Sequence, residues 1–434
     1  MTRIVHIGPG AFHRAHQAIY TEDAADGWQI TGVSLRSADF ADALIKQNGR
    51  YTLVTRGTDG IEYRQVTAMS KALAIANGRG PVLDALTQAD TRIISLTITE
   101  KGYAPPFDAS SAITLLVQAL QMRKDAGRPG VTLLSCDNLT DNGAVLQKAV
   151  TGAAPSDLAD WIAAHVRFPS TMVDRITPAT TAELRAEVAE QAGWADEIPV
   201  ETEAFSQWVI EDNFAAGRPD WEHAGAELVP DVAPYEQMKL RMLNGAHSML
   251  AYCGHLTGKV YVRDVMADPA LAALVARHMD AAAATLDPGT GLNPSAYRDQ
   301  LLTRFRNPHI AHKTYQIAMD GSQKMPQRMF APAQDAVRRG QDVTPFSFAT
   351  ACWLHYLGGR TDAGDAYALR DPREAELAAL PSHPKDRVDA LFALPDLLPA
   401  ALAADPDFRA KTAAYLLAIT QHGLMATTKE DAHV

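Results

Sequence analysis

Four short apolar runs, each followed by a stretch with helical spacing, limit what the first half of this 434-residue chain can become. They are RIVHIG (residues 3–8), WQITGVSL (28–35), RIISLTI (92–98) and VTLLSC (131–136). Strands that are apolar throughout, rather than at alternate positions, are buried on both faces. Separated by helical stretches such as PVLDALTQAD and SAITLLVQALQMRKDAG, they predict a doubly wound α/β domain with a parallel sheet. In such sheets ligands bind beyond the carboxyl ends of the strands. The chemistry is therefore expected just after residues 8, 35, 98 and 136.

One segment interrupts this rhythm. YTLVTRGTDGIEYRQV alternates apolar and polar residues around an Asp59-Gly60 step, which predicts an inserted β-hairpin. Residues 168–233, rich in Pro, Thr and Trp, read as an irregular packed connector. From Pro234 the pattern is helical almost throughout, and PYEQMKLRMLNGAHSMLAYCGHL reads as one helix with proline in its first turn. Gly245 inside it costs about 1 kcal/mol against alanine, which signals close approach of another backbone or a ligand. The expected organisation is an α/β domain over residues 1–230 and an all-α domain over 231–434.

Composition excludes several classes. Lys and Arg number 40 against 51 Asp and Glu, a net charge of −11, and no basic stripe suits phosphate backbones, so no nucleic-acid partner is expected. No apolar run approaches the ~18 residues of a membrane span. Cys136, Cys253 and Cys352 lack CxxC spacing and read as reduced, buried thiols. MTRIVHIGPG enters a strand pattern at once, leaving no room for a signal peptide. The expected compartment is the cytoplasm, and the expected assembly a monomer or homodimer.

Two constellations carry chemistry. In VHIGPGAFHRAHQ a strand runs into Gly8-Pro9-Gly10 and then a helix near Phe12. Gly8 allows the tight turn, and Gly10 lets a pyrophosphate approach the backbone; His13 stands where a third glycine usually sits. After the second strand, Arg36, Ser37 and Asp39 are candidate readers of an adenosine ribose. A carboxylate there favours NAD and an arginine NADP, so both remain open. The second constellation is Glu236, Lys239, Asn244 and His247, which in an α-helix fall within about 140° of arc. A lysine held out of water gives up its proton more readily and serves as a base, and amides stabilise a developing alkoxide. Asn138, in SCDNLTDNG at a strand end, supplies a second amide. A Walker P-loop, an HExxH zinc site and a GxSxG elbow are absent.

Together, IVHIGPGAFHRAHQA, SLTITEKGY, LLSCDNLTDNG, FPSTMVDRITPAT, FSQWVIEDNFAAGRP, APYEQMKLRMLNGAHS and QIAMDGSQKMPQR resemble the mannitol dehydrogenase family, the polyol-specific long-chain dehydrogenases. The resemblance implies a Rossmann-like N-terminal domain, a helical C-terminal domain, NAD or NADP, and no metal. It implies that Lys239 is the catalytic base, that Asn138 and Asn244 hold the alkoxide or carbonyl oxygen, and that Glu236 links the lysine to solvent. His247 and Asp174 resemble substrate contacts. Gly8, Gly10, Phe12, Asp39 and Glu100 fall in cofactor-facing motifs, with Arg36 alongside. Gln316 stands where mannitol enzymes carry an arginine, and the wording around Lys324 and TEKGY looks more like the fructuronate reductase (mannonate oxidoreductase) branch. Lys324 and Arg328 are then candidates to meet a substrate carboxylate. The preferred pair is D-mannonate with D-fructuronate. The alternatives are D-mannitol with D-fructose, another polyol, or a non-catalytic dinucleotide sensor.

Overall fold

The computed structural model describes residues 2–431. The chain divides between Ala233 and Pro234 into two compact units. The N-terminal unit carries the strands β1 (Arg3–Ile7), β2 (Gln29–Ser34), β3 (Tyr51–Gly57), β4 (Gly60–Val66), β5 (Met69–Ala74) and β6 (Thr91–Leu96). They are followed by β7 (Val131–Ser135), β8 (Val166–Arg167), β9 (Thr171–Asp174), β10 (Val200–Glu203), β11 (Gln207–Glu211) and β12 (Glu227–Val229).

Six of these form one parallel sheet in the order β5-β2-β1-β6-β7-β8. That is the dinucleotide-fold order, with the reversal of direction between β1 and β6. All four apolar runs named above lie side by side at its centre. Ile4, Val5, Ile7, Ile93, Ile94, Leu133 and Leu134 are fully buried, and the two faces of the sheet belong to separate apolar clusters. Backbone bonds continue past the strand ends: Gly8 N donates to Val33 O, Thr97 N to Ile7 O and Cys136 N to Leu96 O. The loops that follow β1, β6 and β7 thus leave the sheet in fixed register.

The hairpin is present as β3 and β4, joined through Thr58 and Asp59, with Gly57 opposite Gly60. It gains a third strand, β10, parallel to β3. The expected irregular connector needs correcting. Residues 168–233 hold β9 to β12 and the helix Ala182–Gln191. β11 pairs with β9 on one side and β12 on the other, and Trp208 and Trp221 are fully buried against each other beside them. These strands are three to five residues long. They belong to two separate three-stranded sheets, so no long alternating pattern marks them.

The C-terminal unit is helical, with isolated bridges at Tyr261–Lys313 and Arg360–Ala366. Its core gathers around the helices Gly245–Leu256 and Thr344–Tyr356, almost every residue of which is buried. No helix among the described residues is long and apolar enough to cross a membrane. All three cysteines are free and buried. The expected single helix from Pro234 also needs correcting. It runs as α-helix over Ala233–Met238, as π-helix over Lys239–Asn244, and again as α-helix over Gly245–Leu256.

Candidate active site

In the N-terminal unit the candidate residues lie on loops at one edge of the sheet. Gly8 has φ +90°, and a Cβ there would sit 2.2 Å from Thr97 O, so the turn after β1 admits glycine alone. At Gly10 a Cβ would meet nothing nearer than Gly8 O at 3.8 Å, and the residue is exposed. A tight first glycine and an open second one fit a dinucleotide whose phosphates approach the backbone. The helix Ala11–Ala15 follows; Phe12 is half-buried, its ring stacked 4.9 Å from that of His16. Arg36 and Asp39 are both exposed after β2, and Asp39 opens the helix Asp39–Lys46, its amide donating to Ser37 Oγ. Glu100 is exposed at the start of a short 3-10 turn after β6.

Asn138 is exposed on the loop after β7, and Asp174 is buried at the end of β9. The residue before Asn138 is the one sequence reasoning passed over. Asp137, 8% exposed, accepts hydrogen bonds from Ile98 N and Thr99 N, both at 2.9 Å, and from Tyr103 Oη at 2.6 Å. Burial, and then the Asp137 charge, holds the Tyr103 phenol protonated far above its ordinary range. An acidic residue at a strand end beside a candidate amide was the available signal.

In the C-terminal unit, Lys239 is 7% exposed and opens the π-turn that ends at Asn244, half-buried. An α-helix would set Lys239 and Asn244 about 140° apart; the π-turn, with more residues per turn, brings them closer to one face. Glu236, half-buried, lies one turn earlier. Arg241 anchors the π-turn. It is buried, donates to Thr285 O and Oγ1, and pairs with Asp335 at 2.6 Å. A second π-turn, Pro326–Phe330, packs against the first. Their contact passes through Gly245, where a Cβ would lie 2.9 Å from Arg328 O and 3.0 Å from His278 Nε2.

His247 follows on the same helix. Its ring stacks on Phe305 at 4.5 Å and meets His312 edge-on at 5.3 Å. Its Nε2 is buried with no hydrogen-bond partner among the described residues. Burial, followed by the fields of His312, Arg304 and Arg328, pushes its pKa well below the ordinary value. His312 is held down to about 4 by burial and by Lys324. Lys324 Nζ donates to Met319 O at 2.6 Å and Ile317 O at 3.3 Å. Arg328 Nη1 reaches Ser248 Oγ at 3.2 Å. His247, His312, Lys324, Arg328 and Arg304 thus form one cluster, His247 buried and the others half-buried, whose positive charge lies on Lys324, Arg328 and Arg304. His312 and Arg304 were not anticipated, because they lie far along the chain from the 234–256 motif.

A family model for the mannitol dehydrogenase Rossmann domain matches residues 2–223, and one for the mannitol dehydrogenase C-terminal domain matches residues 231–420. The chain belongs to the mannitol dehydrogenase family. Among its relatives, the D-mannonate oxidoreductase of Escherichia coli is 40% identical, over 95% of this chain and 92% of that protein. The Pseudomonas fluorescens mannitol 2-dehydrogenase, solved as a ternary complex with NAD and D-mannitol, is 35% identical with a TM-score of 0.84, covering 100% of this chain and 94% of that one. A D-sorbitol dehydrogenase solved in substrate-free form is 31% identical with a TM-score of 0.91, over 98% and 94% of the two chains. This mannitol dehydrogenase family member is therefore an oxidoreductase rather than a non-catalytic sensor, and its N-terminal unit is the family's Rossmann domain.

Proposed function

We propose that this oxidoreductase interconverts D-mannonate and D-fructuronate with NAD as cofactor. The observation that carries the reading is the basic cluster around His247. Burial works against charge on Lys324 and Arg328, and Asp320, 3.9 Å from Lys324 Nζ, together with Asp371 offsets only part of it at Lys324. A substrate carboxylate offsets that cost, which an uncharged polyol does not. The likeness to the D-mannonate oxidoreductase points the same way.

In this reading Lys239 takes the proton of the secondary hydroxyl, and Asn138 and Asn244 donate hydrogen bonds to the oxygen as it gains charge. Glu236 passes the proton from Lys239 towards solvent. His247 donates to a neighbouring hydroxyl through its buried Nε2, and Asp174 accepts from another. Lys324 and Arg328 hold the carboxylate. Gly8, Gly10, Phe12, Arg36, Asp39 and Glu100 hold the dinucleotide, with the Asp39 carboxylate favouring the unphosphorylated ribose of NAD. When bound, the nicotinamide accepts or returns the hydride. A second reading, D-mannitol with D-fructose, is favoured by the likeness to the solved mannitol 2-dehydrogenase.

A panel of aldonates and polyols, followed by absorbance of reduced nicotinamide with NAD and NADP in parallel, decides between them. Turnover of D-mannonate with NAD is expected to exceed that of D-mannitol. Activity confined to uncharged polyols overturns the sugar-acid reading, and preference for NADP overturns the role given to Asp39. Lys239→Ala is expected to abolish turnover while NADH still binds. Turnover within about tenfold of the parent, only ~1.4 kcal/mol of barrier, overturns the base.

A further inference from the structure

Asp137 is held at both its side chain and its backbone. Its carboxylate receives three donors from the segment after β6: Ile98 N, Thr99 N and Tyr103 Oη. Tyr103 Oη also lies 2.8 Å from Ser135 Oγ, at the end of β7. The Asp137 backbone carbonyl accepts from Leu139 N at 2.9 Å and from Asn142 Nδ2 at 3.0 Å. Asn142, fully buried, is fixed in turn by Thr171, whose amide donates to its Oδ1 and whose carbonyl accepts from its Nδ2. Thr99 sits at φ +68°, a left-handed conformation that a β-branched residue rarely adopts. The Asp137 carboxylate receives its amide in that conformation.

The donor set requires a group that only accepts. An ionised carboxylate offers two oxygens to two amides and a phenol; an asparagine amide would turn an NH2 towards one of those donors. We infer that Asp137 is a positioning residue that ties the loop carrying Glu100 to the loop carrying Asn138, so that the Asn138 amide is held ready for the substrate oxygen and the Glu100 loop for the dinucleotide. This rests on the reading of Asn138 given above. Asp137 itself touches no reacting atom in this scheme and acts through its neighbour.

The test is a double-mutant cycle of Asp137→Asn with Asn138→Ala, read at saturating NADH, with NADH affinity measured separately by energy transfer from protein tryptophan. Asn138→Ala should lower kcat about 100-fold, as loss of an oxyanion donor does, and leave NADH affinity unchanged. Asp137→Asn should lower kcat at least tenfold and weaken NADH binding severalfold. If Asp137 acts through Asn138, the double variant falls no more than about threefold below Asn138→Ala. Effects on kcat that multiply in the double variant overturn the positioning role while leaving the Asn138 reading intact. An Asn138→Ala enzyme within threefold of the parent overturns that reading and this inference with it. Should Asp137→Asn not fold, Tyr103→Phe replaces it in the cycle: it removes one tether and keeps the carboxylate. A kcat loss at Tyr103 that vanishes in the Asn138→Ala background supports the inference, and a Tyr103→Phe enzyme with parental kcat and NADH affinity overturns it.

Discussion

The imidazoles of His6 and His13 lie stacked, with 3.4 Å between ring centroids and 15° between planes, at the turn that follows β1. His6 Nδ1 is 2.8 Å from Ser95 Oγ, and its Nε2 is 2.9 Å from Thr97 Oγ1 and 3.3 Å from Gly8 O. The Thr97 hydroxyl donates to Gly8 O at 2.6 Å and therefore accepts from His6 Nε2. Two charged rings at this separation, both buried, would repel. Burial pushes His6 down to about 3, and burial together with the His6 charge pushes His13 well below its ordinary range.

The consequence for stability has a definite sign. The unfolded chain binds a proton at each of these histidines as pH falls through 6.5, whereas the folded chain does so at His6 only near 3. Between those values the unfolded state holds more protons, so stability drops as pH falls and is complete above 6.5. His247, His278 and His312 act in the same direction in the C-terminal unit. Each contributes a slope of up to ~1.4 kcal/mol per pH unit. Urea midpoints measured from pH 8 to pH 5 should be flat above 7 and fall steeply below 6.5. A midpoint unchanged between pH 7 and pH 5 would show that these rings titrate normally.

The two glycines of the first turn should respond differently to the same change. Gly8→Ala places a methyl 2.2 Å from Thr97 O at a φ that alanine disfavours, so both stability and NADH affinity should fall. Gly10→Ala meets no neighbour closer than 3.8 Å, so its melting temperature should stay near the parent's. Its methyl stands where a pyrophosphate would approach, and NADH affinity should drop at least tenfold. Equal loss of stability in both variants would mean that Gly10 is there for the chain rather than for a ligand.

The central sheet was legible because β1, β2, β6 and β7 are apolar on both faces and end at glycine or small polar residues. β5 was missed: MSKALA carries Ser70 and Lys71, both exposed, and lies at the sheet edge, where one side needs no burial partner. The π-turn was not legible at all. KLRMLN has the composition of ordinary helix, and the change to i→i+5 bonding accompanies contacts far along the chain, with Asp335 and the turn Pro326–Phe330. What did show was Gly245, whose cost in a helix interior announced the close backbone it meets. Lys239, Asn244 and His247 were singled out by residue type and by resemblance, yet the angular argument that grouped them assumed an α-helix throughout, where Lys239–Asn244 is π-helix. Asp137 went unread because its place at a strand end beside Asn138 does not reveal its donors, Ile98, Thr99 and Tyr103, which lie far earlier in the chain.

Gly245→Ala tests that contact directly. The added methyl lies under 3.0 Å from Arg328 O, which is backbone and cannot swing aside, so the two π-turns must part. Overpacking of this kind costs roughly 1–3 kcal/mol. In the proposed mechanism it also displaces Lys239 and Asn244 from their shared face, so kcat should fall at least tenfold. NADH affinity, set by the N-terminal unit, should hold. Parental kcat in a folded Gly245→Ala enzyme would separate the π-turn from catalysis.

Arg123 offers a test free of the active site. Its side chain is fully buried on the helix Ala112–Asp125. Its guanidinium donates to the carbonyls of Leu86, Gln88, Thr91 and Pro129 at 3.0–3.3 Å. Burial, then Arg128 and Arg92, lowers its pKa to about 10, so the charge persists at neutral pH and is carried by carbonyl dipoles. These carbonyls belong to the end of one helix, the start of β6 and the turn before β7, so one side chain closes the amino-terminal edge of the sheet. Arg123→Met keeps much of the volume and removes the guanidinium from four carbonyls, of which Gln88 O keeps the amide of Thr91. Unsatisfied buried groups cost ~1–3 kcal/mol each before relaxation and water entry, and a net loss of roughly 2–4 kcal/mol is expected. Arg123→Lys retains a donor that reaches only some of the four and should fall between. Because the strand tips that carry Gly8 and Asn138 lie at the opposite edge, kcat and NADH affinity of the folded variants should match the parent. Urea denaturation and steady-state kinetics on the same preparations check both statements, and a Met variant as stable as the parent would mean that water serves these carbonyls as well as arginine does.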